Sequence, residues 1–295
     1  MPNIDVSAVL HPKLMLFQQL FPAEKIITVI ENQGMEHYIL EINDTWICKV
    51  AKNSDHGLAV ENKVLQFLQG KLQTTIPVVV HYEPGFLVYR KIVGQELSVE
   101  NYAHLTQAQK TKLTGDIAIF LQELHALDLA EVMALGLDCC NWPWCAQQLI
   151  SQADLITDRV MQQLFENFIP RYLGLKPEYA PVLIHNDLII RNIIVDTKTG
   201  DLNGIIDFTD VAIGDRYLDL RLRWNSIPEL VENVAIEYAR LTSIKLELER
   251  IYIYYLATEF SRYLQLMQAC ETGKLTEVEA RIIFAANRIR QCPKL

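Results

Sequence analysis

Residues 183–220 read LIHNDLIIRNIIVDTKTGDLNGIIDFTDVAIGDRYLDL and decide the fold. Three polar residues stand in a fixed order: Asp187, Asn192 five positions later, and Asp207 at the end of an apolar run. Phosphoryl transfer of the kinase type needs one carboxylate for the acceptor proton, and an amide and a second carboxylate to hold Mg²⁺ on the nucleotide. The order of residue types therefore predicts a kinase, with Asp187 as the catalytic base and Asn192 and Asp207 as metal ligands.

The same stretch alternates strand-forming and turn-forming residues. We expect strands at 182–185, 193–196 and 204–207, with a loop at 186–192 and a turn at 197–200. This layout brings Asp187 and Asn192 close to Asp207. An Asp or Asn at a strand end more often closes a turn than binds a metal, so each residue alone would indicate structure. Three of them in the right order favour the catalytic interpretation.

The motifs HND followed by Asn192, GIIDF followed by Asp210, and GD followed by DL resemble the aminoglycoside phosphotransferase family. This family is the small-molecule branch of the protein-kinase-like fold, and the HND start and the YRKIVG stretch at 89–94 resemble its 2''-phosphotransferases in particular. The resemblance implies an α+β fold of two lobes, a small β-rich N-terminal lobe and a larger, mainly helical C-terminal lobe. We expect the nucleotide-binding lobe at 1–90, the catalytic and substrate-binding lobe at 91–295, and the connection at about 86–94.

The N-terminal part of the chain carries further landmarks of that family. The strand TWICKV contains Lys49, which the resemblance places on the nucleotide α- and β-phosphates, and the helix AVENKVLQFLQG contains Glu61, its expected partner. The alternatives are an edge-strand lysine in water and a glutamate on a solvated helix face. Gly34 lies between two expected strands, 26–30 and 38–42. The resemblance assigns it to the loop that covers the phosphates, whereas alone it indicates an ordinary hairpin.

The remaining nucleotide contacts follow from the resemblance alone. In the family the adenine or guanine ring lies against the connection between the lobes, hydrogen-bonded mainly by backbone groups. Val88, Tyr89, Arg90 and Lys91 are therefore the expected neighbours of the base. The implied cofactor is Mg²⁺, with ATP or GTP as the co-substrate, and the choice between the two nucleotides stays open.

Composition and charge narrow the class of partner. A chain of 295 residues with 50% hydrophobic residues can bury a sizeable core, and no apolar run approaches the length of a membrane span. Neither a signal peptide nor a disulfide framework is evident, so we expect a cytoplasmic protein whose six cysteines are free thiols. The net charge of −9 argues against a nucleic-acid partner and suits a cationic small-molecule substrate. The sequence does not decide the oligomeric state.

The helical patterns place several other polar residues. A capping box of Thr106 with Gln109 predicts the start of one helix, and a second box of Thr276 with Glu279 predicts the start of the last one. We expect His125 to be a core histidine at the end of a helix. We expect His185 to support the catalytic loop by hydrogen bonding. Asp215 and Asp219 are interpreted as structural braces. The roles of Arg191 and Asp210 stay open.

Three kinds of activity fit this pattern. The first is a small-molecule kinase acting on an aminoglycoside antibiotic, as in resistance enzymes, or on a macrolide or another small hydroxyl metabolite. The second is a protein kinase, although no A-P-E motif follows the DF pair and Thr209 replaces the usual glycine. The third is a nucleotide-binding pseudokinase. Asn192 and Arg216 both depart from the 2''-phosphotransferase pattern, where histidine and proline are common.

Overall fold

The structure is a computed structural model that describes residues 6–34, 36–140, 146–176, 178–221 and 227–291. Cys145 and Cys292, two of the six predicted free thiols, lie outside these residues. The other four, at positions 48, 139, 140 and 270, form no disulfide among the described residues. Within the same ranges no helix combines the length and the apolar character that crossing a bilayer requires.

The elements follow one another along the chain in this order. The strands are β1 Val29–Gln33, β2 His37–Ile42, β3 Trp46–Ala51, β4 Val79–Glu83, β5 Phe86–Arg90, β6 Gln95–Glu96, β7 Val182–Ile184, β8 Ile193–Val195, β9 Leu202–Ile205 and β10 Ala212–Gly214. The helices are α1 His11–Leu20, α2 His56–Leu68, α3 Val99–His104, α4 Gln107–His125, α5 Leu129–Met133, α6 Ala146–Ser151, α7 Arg159–Gly174, α8 Tyr217–Leu220, α9 Pro228–Thr242, α10 Leu248–Gln268 and α11 Leu275–Gln291.

The chain forms two compact units. The first comprises Met1–Leu97 and Arg191–Val211, and the second comprises Ser98–Ile190 and Ala212–Leu295. The sequence-based division has a single boundary at residue 90. Each of the two units instead comprises two separate segments of the chain. The reason is the pairing of β8 with β6, which attaches residues 191–211 to the first unit.

The first unit is built on an antiparallel sheet in the order β1-β2-β3-β5-β4. Side chains alternate between its two faces, as strand geometry requires. One face carries Leu40, Cys48 and Val88, which pack with Leu14 and Phe17 of α1 in one buried apolar cluster. Alternate residues of β3, beginning with its first, all take part in this cluster.

The opposite face of this sheet packs against α2. Leu87 and Tyr89 of β5 form a buried cluster with Leu58 of α2. Lys49 is paired with Leu87 across β3 and β5, so its side chain emerges on this face too. Lys49 therefore projects from the sheet toward the helix that carries Glu61. That helix begins at His56, so Glu61 lies in its second turn and not at its start.

The β2–β3 turn contains Asn43 and Asp44, which both adopt positive φ, 55° and 52°. Two consecutive left-handed residues match the twist of paired strands. The Asn43 side chain also accepts hydrogen bonds from the N–H groups of Ile27 and Thr28. The strand expected at 26–30 was wrong at its start, because these two N–H groups bind the Asn43 side chain and not a neighbouring strand. The strand β1 therefore begins at Val29.

A second sheet of the first unit has the order β6-β8-β9. Gly204 lies in β9, where a Cβ would stand 2.7 Å from the Thr75 carbonyl oxygen and 2.8 Å from Ile92 Cδ1. Only glycine admits this approach, and the N–H of the next residue, Ile205, donates to the same Thr75 carbonyl. The strand expected at 204–207 ends at Ile205, because Asp207 adopts a left-handed backbone with φ of 69°.

The second unit is mainly helical, with the short β7–β10 pair on one side. Its main core joins α7, α10 and α11 through Phe168, Phe260 and Ile282. The capping box of Thr106 and Gln109 is confirmed at the start of α4. The box expected at Thr276 is wrong, because α11 follows directly from a 3₁₀ turn, Thr272–Lys274, and is already helical at Leu275.

We predict that Gly204→Ala lowers the free energy of unfolding by about 1–3 kcal/mol, because the new methyl group would overlap the Thr75 carbonyl and Ile92. Chemical denaturation at equilibrium measures this loss. Gly115→Ala is the matched control, since a Cβ at this position in α4 meets nothing within 4 Å. We expect the control to keep or slightly raise stability. Equal stability of Gly204→Ala and the native chain would contradict the close approach.

Candidate active site

Lys49 and Glu61 form a buried ion pair in the first unit. The lysine Nζ lies 2.8 Å from both carboxylate oxygens of Glu61, and it lies 2.8 Å from Asp207 Oδ1 as well. Lys49 is 4% exposed and Glu61 is 0% exposed. The two charges predicted to meet across twelve residues of sequence do so, and the predicted metal ligand Asp207 joins them.

The neighbouring carboxylates determine the protonation state of Lys49. Burial alone would lower the pKa of Lys49, but the carboxylates of Asp207 and Glu61 raise it well above its usual range. The ammonium group is therefore permanently charged at neutral pH. A charged donor of this kind is suited to binding phosphate oxygens.

Asp207 owes its orientation to an unusual backbone. Its φ of 69° lies in the left-handed region, which is rare for residues other than glycine and concentrates at functional sites. The next residue, Phe208, donates its backbone N–H to Glu61 Oε1 at 3.2 Å. The hydroxyl of Thr209 donates to Asp207 Oδ1 at 3.0 Å. These contacts fix the carboxylate beside the lysine.

Asn192 is buried at the end of a 3₁₀ turn, Ile190–Asn192. Its backbone carbonyl accepts a hydrogen bond from Ile206 at 3.0 Å, which places it next to the segment that carries Asp207. Arg191, whose role the sequence left open, is exposed. The first unit thus brings together Lys49, Glu61 and Asp207, with Asn192 alongside.

The residues present suit a magnesium ion chemically. A carboxylate and an amide supply the hard oxygen ligands that Mg²⁺ prefers, and phosphates and water fill its other positions. The side chain of Asp207 is 35% exposed, so it is accessible to a ligand, and Lys49 and Thr209 both donate to its Oδ1. No group of three His, Cys, Asp or Glu residues suited to a metal occurs in the described part of the chain. One carboxylate and one amide leave most coordination positions to other ligands, so Asp207 and Asn192 fit an ion that also binds phosphate oxygens.

Gly34 lies at the tip of the β1–β2 hairpin. Its N–H donates to the carbonyl of His37 at 2.9 Å, and its own carbonyl accepts from Lys52 Nζ at 2.7 Å. These bonds close the hairpin beside the strand that carries Lys49. They are consistent with the loop expected over the phosphates and equally with a simple turn.

Val88 and Tyr89 are two of the four residues expected near the base. Val88 packs in the cluster on the α1 face of the sheet. Tyr89 lies on the opposite face, buried with Leu58. Both side chains are thus part of the core, and any contact of this strand with a base would use its backbone.

Arg90 and Lys91 also have engaged side chains. The Arg90 guanidinium lies over the ring of Trp46, 4.2 Å from its centroid. The Lys91 ammonium binds Glu41 at 2.8 Å and Asp44 at 2.5 Å. These contacts fix the start of the segment expected to connect the lobes, and both side chains are engaged within the protein.

Asp187 belongs to the second unit, in a loop that Asp219 holds in place. The two carboxylate oxygens of Asp219 accept the backbone N–H groups of His185, at 2.8 Å, and Asn186, at 2.7 Å. The carbonyl of Asp187 accepts from Ile189 N at 2.8 Å. The interpretation of Asp219 as a brace is confirmed.

Asp219 is supported in turn by His125 at the end of α4. His125 Nε2 lies 3.1 Å from Asp219 Oδ2, and its Nδ1 lies 2.9 Å from the Tyr238 hydroxyl, which also accepts from Arg216. Burial alone would raise the pKa of Asp219, but the hydrogen bond from His125 and the nearby backbone N–H hold it below its usual value. The sequence correctly predicts His125 in the core but does not predict its link to the loop that carries Asp187, since no local pattern connects residues so far apart.

We predict that Asp219→Asn destabilises the protein at pH 7, because one amide cannot replace a carboxylate that accepts from three donors. Each buried donor left unsatisfied costs about 1–3 kcal/mol. Because the pKa of Asp219 is lower in the folded protein than its ordinary value of 3.8, its ionised carboxylate stabilises the fold at pH values above 3.8. This stabilisation is lost as the pH falls through the lowered pKa. Urea denaturation of both proteins at several pH values should therefore show a difference that shrinks in acid. Asp154→Asn, at an exposed site, is the control. A difference independent of pH would contradict this role.

Comparison with known proteins agrees with this geometry. A family model described as the phosphotransferase enzyme family, APH, matches residues 30–252. A GDP complex of a point mutant of aminoglycoside 2'-phosphotransferase-IIIa has a TM-score of 0.82 and 22% identity, over 94% of this chain and 97% of that one. The GDP and kanamycin complex of APH(2'')-IIIa has a TM-score of 0.78 and 22% identity, over 95% and 99%.

A type I macrolide 2'-phosphotransferase is also similar, with a TM-score of 0.68 and 14% identity over 94% of this chain and 98% of that one. At these identities the structures show a shared fold. The predicted α+β fold, with a small antiparallel-sheet lobe and a helical lobe, is confirmed. Since the family model spans most of the chain, the resemblance seen in the motifs is confirmed as well: the chain belongs to the APH phosphotransferase enzyme family.

Proposed function

We propose that the protein transfers the γ-phosphoryl group of ATP or GTP to a hydroxyl group of a small cationic molecule, an aminoglycoside antibiotic, in the cytoplasm. The observation that carries this proposal is the buried ammonium of Lys49, held 2.8 Å from the Glu61 carboxylate and 2.8 Å from Asp207. A kinase site requires a fixed cation for the phosphates beside a carboxylate for the metal. Family membership supports the same reaction class.

The first unit would supply the nucleotide-binding groups. Lys49 would contact the phosphates, while Glu61 keeps its ammonium in position. Asp207 and Asn192 would hold Mg²⁺, which when bound neutralises the charge that develops on the phosphate oxygens. The left-handed backbone at Asp207 would fix the direction of this carboxylate without a rearrangement when the nucleotide binds.

Asp187 would act on the acceptor. Its carboxylate orients the substrate hydroxyl and takes its proton, while the hydroxyl oxygen forms a bond to the γ-phosphorus and the bond to the leaving nucleoside diphosphate breaks. The hydrogen bonds from His185 and Asn186 to Asp219 hold the chain immediately before Asp187. Fixed backbone on that side limits the movement of the catalytic carboxylate, as positioning catalysis requires.

The acceptor class rests on charge and on likeness. The net charge of −9 favours binding of polycations, and aminoglycosides are polyamines. Two similar structures are aminoglycoside phosphotransferases, one of them solved with kanamycin. A macrolide is the second candidate, because a macrolide phosphotransferase shares the fold. The fold alone does not decide between them.

We predict that purified protein with Mg²⁺ consumes ATP or GTP rapidly only when an aminoglycoside is present. A coupled assay of nucleoside diphosphate release, with an aminoglycoside, a macrolide, choline and a generic protein substrate in parallel, measures this. Mass spectrometry should show a gain of one phosphoryl group on the acceptor. Consumption that depends on the macrolide would move the assignment to the second candidate. Labelling of the protein substrate would contradict a small-molecule kinase.

We predict that Asp187→Asn lowers kcat by about 10²-fold or more while the Kd of the nucleotide stays within about twofold, because general-base catalysis is lost and phosphate contacts remain. Steady-state kinetics and calorimetric binding of a nonhydrolysable nucleotide measure the two effects. Asp154→Asn, with a carboxylate exposed in the same unit, is the control and should keep full activity. Native turnover by Asp187→Asn would exclude the assignment.

We predict that Asp207→Asn acts differently, by weakening nucleotide binding in the presence of Mg²⁺. The amide leaves the metal with a neutral ligand in place of a charged one. Binding titrations with and without Mg²⁺ separate this effect from a general loss of affinity. If the variant kept the native dependence of affinity on Mg²⁺, Asp207 would not be a metal ligand.

A further inference from the structure

His37 opens strand β2 and is buried without a hydrogen-bonding partner for one ring nitrogen. The residue is 8% exposed, and its Nε2 has no hydrogen-bond partner among the described residues. A buried polar nitrogen left unsatisfied costs about 1–3 kcal/mol, so folded proteins rarely keep one without a reason. The surroundings of His37 supply that reason.

His37 and Lys49 share one face of the sheet. His37 pairs with Ala51 across β2 and β3, and Ile39 pairs with Lys49, so the histidine is the diagonal neighbour of the lysine. Diagonal neighbours of this kind lie about 7–8 Å apart, within reach of long side chains. The two side chains therefore project toward the same region, the face that carries the buried cation.

The His37 ring also lies at the first turn of α2. A Cβ built at Gly57 would stand 3.4 Å from His37 Cε1, 3.5 Å from its Nε2 and 3.6 Å from Glu36 Oε2, which are ordinary van der Waals distances and place the ring against this turn. The N-terminus of a helix attracts anions through its backbone N–H groups and dipole. The His37 ring, which carries a buried unsatisfied nitrogen, thus lies against the first turn of a thirteen-residue helix and on the sheet face that carries Lys49.

We infer that His37 is a further nucleotide-binding residue, whose Nε2–H donates a hydrogen bond to a phosphate oxygen of the nucleoside triphosphate. The inference rests on the proposed function, since the anion is the phosphate chain that Lys49 binds. It assigns the phosphate-covering role to a histidine next to the tip of the β1–β2 hairpin, in a chain whose hairpin has a single glycine, Gly34.

Binding of this kind changes the protonation of the imidazole. Burial and the charge of Lys49 lower the pKa of His37, while Asp207, Glu36 and Asp55 oppose the shift. A di- or triphosphate adds negative charge next to the ring and raises its pKa again. Nucleotide binding near neutral pH should therefore be accompanied by uptake of a proton, a signal that a space-filling histidine does not produce.

Two substitutions separate the hydrogen bond from the packing. His37→Leu fills the site without a donor, and we expect it to raise the Kd of ATP about tenfold to a hundredfold and to leave adenosine affinity unchanged. His37→Gln keeps an N–H donor near the position of Nε2, and we expect a Kd within about threefold of the native value. Both should abolish proton uptake, measured by calorimetry in buffers of different ionisation enthalpy. His81→Gln, in β4 of the same unit, is the matched control and should behave as the native protein.

The outcomes are distinct. If His37→Leu folds with a native thermal midpoint and binds ATP with native affinity, or if proton uptake persists in both variants, the inference is wrong. If instead His37→Leu fails to fold, His37→Gln still decides, because loss of proton uptake without loss of affinity supports the role. If the native protein binds neither ATP nor GTP, the proposed function and this inference are both wrong. If it binds nucleotide and the His37 substitutions change neither the affinity nor the proton uptake, only the inference is wrong.

Discussion

One buried ammonium group organises the first unit. Burying a charge without compensation costs several kcal/mol, so Lys49 can occupy its place on β3 only when carboxylates meet it. Glu61 reaches it from α2 and Asp207 from the segment after β9, each at 2.8 Å. A sheet, a helix and a distant stretch of sequence are thereby tied to a single point. Loss of Lys49 would leave the fully buried Glu61 carboxylate without a counter-charge, which explains why elements so far apart in sequence must be positioned together.

Carboxylates also fix other segments of the chain, by accepting hydrogen bonds from backbone N–H groups. Asp219 holds the two residues before Asp187, and Asp55 accepts the N–H of Gly85 at 2.6 Å and the hydroxyl of Tyr82 at 2.7 Å. Loops cannot satisfy their own backbone groups as helices and strands do. An ionised carboxylate satisfies two donors at once and fixes their direction. In each unit, therefore, one aspartate fixes the backbone of a turn or loop through hydrogen bonds from N–H groups.

The sequence predicts what is local and chemically specific. Asp207 was identified as a candidate because residue type and order restrict kinase chemistry to few arrangements, and Lys49 and Glu61 were identified through the family resemblance. Features that depend on tertiary contact were missed. The positive φ of Asp207 shortens a strand that its apolar run seemed to extend, and the link from His125 to Asp219 joins residues 94 positions apart. The pairing of β8 with β6, which assigns residues 191–211 to the first unit, has no signal in the local pattern either.

Charge balance at the cluster explains why a neutral donor is useful next to it. Lys49 faces two carboxylates, so the three groups together carry a net charge of −1. A polyanion approaching them gains from the lysine but is repelled by Asp207 and Glu61 unless a metal ion offsets those charges. A neutral imidazole at His37 contributes a hydrogen bond without altering this balance beforehand, and it gains a positive charge only when phosphate arrives. A lysine or arginine in its place would instead compete with Lys49 for Asp207 and weaken the arrangement that holds the carboxylate for the metal.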